Sequence, residues 1–431
     1  MAKHVFVIGL DDFHREQLES VRHAEEYVFH GLLPYEMVVH PESYPIDEMI
    51  ERGMEEIRDS GVRPDAVIGH WDFPTSALRV VFRDALGLPG PSLESVLIAE
   101  HKYWSRLRQG LVVPENIPAF QSLDPFDPDA ASRLELTYPF WIKPNIGFSS
   151  QMVYYVENRD DLDAALAGLR AGLPLFGSPF ERFVARATLP SDIPVDVDAF
   201  HCTLEKPIGG WQCTLEGYVR RRETVVYGVV DSVREGGIGS SFARYEFPSR
   251  LPRAVQQRMI EITRRAMSAM ELDDTPFNIE YFWDREHDCI WLLEINTRIS
   301  QSHSPLFMAV CGASHHEVAI DLALGRQPSF PCRDGPHRVA IKFMLRHFED
   351  AVVTRVPTDG EIRSLEQEFP GTRIQIEVEE GTRLSEMRAQ EVYSYEVAAI
   401  FMGGPSHEDL MARYGELLER LPLEFHDIEA S

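Results

Sequence analysis

Apolar and polar positions over roughly the first 110 residues switch between two periods. "HVFVIG" and "DAVIGH" are short apolar runs that end near Gly, the pattern of buried strands. Between them "IDEMIERGMEEIRDSG" has the 3–4 spacing of an amphipathic helix with a Gly stop, and "TSALRVVFRDALGLPG" repeats the scheme. Strand, helix and strand in this order predict a parallel sheet with helices on its faces. A Pro- and Asp-rich stretch, "VVPENIPAFQSLDPFDPDA", reads as a linker. From about 138 to 330 the pattern is strand-rich, with helices predicted over 158–171 and 252–271. The last hundred residues return to mixed signals: "RVAIKFML", "RIQIEVEE" and "SYEVAAIFMGG" as strands, and "SHEDLMARYGELLERL" as a closing helix.

Composition narrows this picture. At 431 residues, 44% hydrophobic and 26% charged, the chain reads as a globular protein of several packed units. No apolar run approaches the roughly 18 residues a membrane span needs. The opening "MAKHVFVIGLDDF" is too briefly apolar for a signal peptide and reads as a first buried strand. Five scattered cysteines with no C-x-x-C pair suit free thiols in a reducing cytoplasm. A formal charge of −27 argues against a nucleic-acid partner. Lysine occurs only at Lys3, Lys102, Lys143, Lys206 and Lys342, so a lysine within a motif carries more weight than usual.

One segment concentrates chemistry. In "WLLEINTRIS" a strand places Glu294, Asn296 and Arg298 on one face, and Ile295, Thr297 and Ile299 on the other. "FNIEYFW" is a second strand, joined to the first by the polar "DREHD". A hairpin symmetric about His287 sets Glu280 opposite Glu294. Like charges face to face are destabilising unless a cation lies between them. Two carboxylates and an amide oxygen suit Mg²⁺ or Mn²⁺, although a solvent-facing edge would show the same acids.

"YPFWIKPNIGFSSQMVYYV" reads as a strand ending at Lys143, then a loop with Gly147, Ser149 and Ser150, then a second strand. Such a loop offers donors to a phosphate, and it also fits a plain hairpin turn; there is no Walker A motif. Lys102 lies on the predicted helix "LESVLIAEHKYWSRLRQG", and Glu181 opens a predicted strand in "PFERFVARA". His315 and His316 read as packing residues, whereas His303, five residues after Arg298, reads as a candidate to line a substrate site.

Together these segments resemble the ATP-grasp superfamily over about residues 65 to 325. The resemblance implies an α/β (α+β) architecture. A Rossmann-like pre-ATP-grasp domain would span 1–112 and the ATP-grasp domain 113–330, with a C-terminal α+β domain over 331–431. Within 113–330 the lysine and flexible-loop subdomain would cover 113–178, and the metal hairpin 179–330. ATP is the implied cofactor, with Lys102, Lys143, Ser149 and Ser150 on its phosphates. "ERFV" resembles the adenine hinge, giving Glu181, Phe183 and Val184 that role, and Asp196 or Asp198 would meet the ribose. Glu280, Glu294 and Asn296 would hold Mg²⁺, and Arg298 would stabilise the transferring phosphoryl group.

Within the superfamily, "YGVVDSVREGGIGSSFARYEFPSRLP" resembles amino-acid and dipeptide ligases, with Gly236, Gly237, Ser302 and His303 as substrate candidates. That resemblance implies an ADP-forming carboxylate–amine ligase acting on small molecules. "EINTRISQSHSP" is nearer to biotin carboxylase, but Ser302 stands where that branch has an acid. A non-catalytic nucleotide-binding protein is the third reading. A homodimer is the default expectation for assembly.

Overall fold

The computed structural model describes residues 2–39, 41–147, 151–235, 241–387 and 394–428. The chain divides into two compact units. One comprises Met1–Gly228, Pro252–Gln301 and His316–Ser329; the other comprises Val229–Leu251, Ser302–His315 and Phe330–Ser431.

The N-terminal part follows the predicted alternation. It runs β1 (Lys3–Ile8), α1 (Asp12–Glu19), β2 (Tyr27–Leu32), the one-turn α2 (Tyr35–Val38), α3 (Ile46–Asp59) and β3 (Ala66–Ile68). Three helices follow: α4 (Thr75–Leu86), α5 (Leu93–Glu100) and α6 (Lys102–Val112). The strands form a parallel sheet in the order β2-β1-β3. The apolar side chains Val5, Val7, Leu18, Ala66 and Ile68 build its core, joined by Ile320 and Ala323 from far along the chain. Gly9 ends β1 at φ +64, where a Cβ would lie 2.3 Å from Val38; only glycine fits this turn. Asp11 then caps α1 by accepting from the His14 N–H.

The next strands are β4 (Phe120–Leu123), β5 (Phe140–Pro144) and β6 (Tyr154–Val156). They are followed by α7 (Arg159–Gly172), α8 (Pro174–Val184) and β7 (Cys202–Glu205). They form an antiparallel sheet in the order β4-β7-β5-β6. Alternate residues Phe140 and Ile142 pack under Leu162, Leu166 and Leu169 of α7.

Beyond it come β8 (Trp211–Arg220), β9 (Glu223–Glu235), β10 (Ser241–Phe247), α9 (Arg253–Ala269), β11 (Thr275–Asp284) and β12 (Cys289–Asn296). In the first unit β12, β11 and β8 pair antiparallel in that order. Helix α9 lies on them, with Thr263 Oγ1 2.9 Å from the Tyr281 hydroxyl and Met259 Sδ 3.6 Å from Cys213 Sγ.

The remaining elements are α10 (Ser304–Cys311), α11 (His316–Ala323), β13 (Val339–His347), β14 (Ala351–Arg355) and α12 (Asp359–Glu368). The chain ends with β15 (Thr372–Ile376), β16 (Tyr395–Gly404), α13 (His407–Leu418) and β17 (Glu424–Asp427). In the second unit the strand order is β9-β10-β13-β16-β15, and β14 pairs with β17. Ile341, Phe343 and Ile400 pack against Leu365, Leu410 and Leu417 of α12 and α13. All five cysteines are free. No helix among the described residues is long and apolar enough to cross a membrane.

One predicted strand is a helix. Residues 179–184 fall in α8, because Phe176, Phe180 and Phe183 recur at intervals of four and three, a helical stripe that buries all three rings. Pro174 in its first turn starts the helix. Residues 192–198, which carry Asp196 and Asp198, form turns.

Candidate active site

The hairpin of β11 and β12 sets Glu280 directly opposite Glu294, and Asn278 opposite Asn296. The facing is not achieved by symmetry about His287. Near the turn Asp284 pairs with Cys289, and a bulge between Glu280 and Tyr281 leaves Leu293 as the extra residue, which restores the carboxylate pairing. Ile295, Thr297 and Ile299 are buried, while Glu294, Asn296 and Arg298 keep partial exposure, as alternation demands. Glu280 accepts from Gln212 Nε2 at 2.9 Å. Asn296 spends its amide nitrogen on Asn278 Oδ1 at 3.0 Å, so its oxygen is the atom suited to a cation. Cross-strand carboxylates with an amide oxygen are a hard donor set that fits Mg²⁺ or Mn²⁺. Among the described residues no cluster of three or more His, Cys, Asp or Glu is gathered to hold a metal, so this set depends on Asn296 as its third donor.

A third strand adds Glu216, which lies opposite Asn278 on β8 and is fully buried. Burial pushes its carboxyl well above the usual range; the Arg298 charge and the Ser300 N–H oppose that, and Glu280 adds to it. Arg298 donates from Nε to Asp72 Oδ1 at 2.7 Å, and one of its terminal nitrogens binds the same oxygen. Burial disfavours the Arg298 charge, but Asp72, Glu100 and Glu216 outweigh it and hold the guanidinium above its ordinary pKa. Glu100 accepts from Thr297 Oγ1 at 3.0 Å; burial and the Asp72 charge raise its carboxyl.

Lys143 and Lys102 lie on other elements of the same unit. Lys143, on β5, sits 2.7 Å from Glu205 Oε2 at the end of β7. Arg106 of α6 grips the other oxygen, Nε to Oε1 at 2.6 Å, and donates to the carbonyl of the bulged Leu293 at 2.5 Å. Burial alone would raise the Glu205 carboxyl, but Arg106 and Lys143 hold it down to about 2. Lys102 opens α6 and donates to the Gly147 carbonyl at 2.8 Å. Burial lowers its pKa; Glu294 pulls it up and Lys143 pushes it down, which places all three within one electrostatic neighbourhood. Lys102, Lys143, Glu294 and Arg298 thus share one unit with Glu280 and Asn296.

The other expected residues make contacts of their own. Phe183 is fully buried, edge-on to Phe73 at 5.8 Å, so its ring belongs to the core of α8. Val184 ends that helix, and Glu181 accepts the Ala199 N–H at 3.2 Å. Asp196 is exposed in a turn, whereas Asp198 is occupied by the His201 ring at 2.8 Å. Ser149, Ser150, Gly236 and Gly237 lie outside the described residues. Ser302 and His303 belong to the second unit, where Ser302 accepts from Lys342 Nζ at 3.3 Å and buried His303 meets the Tyr245 ring. His315 and His316 are both buried.

Sequence reasoning missed Glu205 and Arg106. It also missed the link 206–210, which joins β7 of one sheet to β8 of another. A signal was present: "TLEKP" follows an apolar run with an acid and one of the five lysines. Gly210 closes the link at φ +122, where a Cβ would lie 2.3 Å from the Trp283 carbonyl oxygen.

Residues 136–305 match the sequence profile of the ATP-grasp domain. The chain carries an ATP-grasp domain within an α+β ATP-grasp fold. The structure is similar to that of an L-amino acid ligase from Bacillus licheniformis, at 18% identity and a TM-score of 0.75 over 100% of this chain and 99% of that one. A carboxyaminoimidazole ribonucleotide synthase from Aspergillus clavatus, complexed with ATP, aligns at 15% identity and TM-score 0.67, over 97% and 98% of the two chains. A biotin carboxylase from Campylobacter jejuni aligns at 14% and 0.64, over 99% and 93%. No curated protein matches the chain by sequence.

Proposed function

We propose that the protein is an ATP-dependent, ADP-forming ligase that activates a carboxylate as an acyl-phosphate and joins it to an amine. The observation that carries this reading is the facing of Glu280 and Glu294 beside Asn296 and Arg298, in one unit with Lys102 and Lys143. A pure nucleotide binder has no need of an arginine held at the phosphoryl end. Glu280, Glu294 and Asn296 would hold Mg²⁺, which neutralises phosphate charge when bound. Lys102 and Lys143 are point charges for phosphate oxygens. Arg298, anchored by Asp72, meets the charge that builds on the transferred group.

Adenine is better assigned to the link 206–210 than to Glu181, Phe183 and Val184. The link offers backbone groups next to Glu205 and Lys143, while Phe183 is sealed in the core. The ligase from Bacillus licheniformis, whose fold this chain shares, supports amino acids as the substrate class. A carboxylase reading draws on the biotin carboxylase likeness, but Ser302 offers a hydroxyl bound to Lys342 rather than a carboxylate base.

The test is hydroxylamine trapping of the acyl-phosphate over a pool of carboxylic acids, with ADP measured in parallel. A hydroxamate formed with stoichiometric ADP is the expected result. ADP release that needs bicarbonate and gives no hydroxamate would favour carboxylation, and no ADP release with any acid would overturn the ligase reading.

A further inference from the structure

The parallel sheet β2-β1-β3 has its strand order reverse at β1, so a crevice is expected outside the carboxyl ends of β1 and β3. The residues that follow those ends carry chemistry that, Asp72 apart, has no part in the nucleotide site. After β1 come Asp11, Phe13 and His14; after β3 come His70, Trp71 and Asp72. His14 and His70 are buried and stacked, with ring centroids 4.2 Å apart, and form a floor. Trp71 stands edge-on to His14 at 4.8 Å and to Tyr35 at 5.3 Å, and Phe13 is 5.3 Å from His14. Phe13, Tyr35 and Trp71 each keep partial exposure, so the floor has an aromatic rim.

Asp11 completes this rim with a charge. The His14 backbone N–H and ring Nδ1 both bond its Oδ1, at 2.8 and 2.6 Å. Both of these bonds go to Oδ1, and the side chain is 26% exposed. Burial would raise this carboxyl, but the bonds and charge of His14 keep it below the usual range, so it stays an anion. A carboxylate oxygen beside aromatic faces is a recognition pattern for an ammonium group.

Two contacts connect the patch to the chemistry. His14 Nε2 lies 3.1 Å from Gln301 Oε1, three residues beyond Arg298, and Asp72, next to Trp71, holds Arg298 itself. An amine substrate arrives as a cation near neutral pH, and Arg298, Lys102 and Lys143 repel it. We infer that Asp11 and the rings of Trp71, Tyr35 and Phe13 form the subsite for the ammonium-bearing substrate, the acyl acceptor. This rests on the ligase reading for its role but not for its binding chemistry.

The experiment titrates the full chain by calorimetry with two probes. Leucinamide has an ammonium and no carboxylate; N-acetylleucine has the reverse. Wild type binds leucinamide, and Asp11→Asn weakens that binding at least about tenfold through loss of the charge. Asparagine still caps α1. Trp71→Leu weakens it several-fold by a different route. Neither variant changes N-acetylleucine binding. No leucinamide binding by wild type, or equal affinity in wild type and both variants, would overturn the inference. Leucinamide bound through Asp11 without ADP release from any acid would sink the ligase reading and leave the subsite. Hydroxamate formation with leucinamide affinity unchanged in Asp11→Asn and Trp71→Leu would do the reverse.

Discussion

Asp72 and Arg298 are 226 residues apart in sequence, yet one carboxylate oxygen of Asp72 accepts from both Nε and a terminal nitrogen of Arg298. The pair links the loop after β3 to the end of the acidic hairpin. A guanidinium held at all three nitrogens, two on Asp72 and the third on the Ile299 carbonyl at 3.2 Å, has lost most of its rotational freedom before any substrate arrives, which is the sense in which electrostatic catalysis is preorganised.

Replacing Asp72 with Asn tests that link. The variant keeps the size of the side chain and removes the charge. ADP release with a trapped acid should fall about 10- to 100-fold while the KM for ATP changes little, because Asp72 touches Arg298 and not the lysines. Stability in urea should fall by about 1–3 kcal/mol, the range for losing a charge-assisted bond to a part-buried group. Asp72→Glu should recover part of the rate. Unchanged turnover in Asp72→Asn would mean that Arg298 needs no anchor.

Glu280→Gln and Glu294→Gln test the metal assignment without knowledge of the substrate. Without a cation the two carboxylates repel across the strands, so either variant should gain a few tenths of a kcal/mol in metal-free buffer. Mg²⁺ with ATP should raise the melting temperature of wild type and much less that of either variant. ADP release should drop at least about 100-fold in both. A Glu294→Gln protein that keeps its turnover and its Mg²⁺-dependent melting shift would show that the cation lies elsewhere.

Much of this was legible in the sequence because it was periodic. Alternation alone set Glu294, Asn296 and Arg298 on one face, whereas symmetry about His287 named the Glu280–Glu294 pairing without the bulge that produces it. The bulge at Leu293 was not legible, since it needs the partner that holds it, Arg106 from α6. Helix α8 was misread for a local reason. Gly177 and Pro179 interrupt "PLFGSPFERFV", and they hide the stripe of Phe176, Phe180 and Phe183 that tertiary burial enforces. Asp72 carried no motif at all; its role comes from a contact across 226 residues.

Phe183 separates the two assignments for adenine. Its ring is fully buried beside Phe73, so Phe183→Ala should cost about 3–5 kcal/mol of stability, as large-to-small core changes do. Measured below its own melting point, that variant should keep the wild-type KM for ATP. Gly210→Ala, which sets a Cβ 2.3 Å from the Trp283 carbonyl oxygen and so displaces the link, should raise the KM for ATP. The opposite pattern in the two variants would return the hinge to α8.

Glu205 gives the chain a definite response to acid. Its carboxyl sits at about 2 in the folded protein against an ordinary 4.5, because Arg106 and Lys143 outweigh the cost of its burial. A depressed acid lends stability that is fully present above about 4.5 and is lost as the pH falls through about 2. Protonation then leaves Arg106 and Lys143 without their shared anion in a buried place. The difference corresponds to about 3 kcal/mol across that window. Urea denaturation at a series of pH values should show wild type weakening from pH 4.5 toward 2. Glu205→Gln should start lower at neutral pH and fall less steeply over the same window. Parallel curves for the two proteins would mean that the Glu205 charge is not what holds Arg106 and Lys143 together.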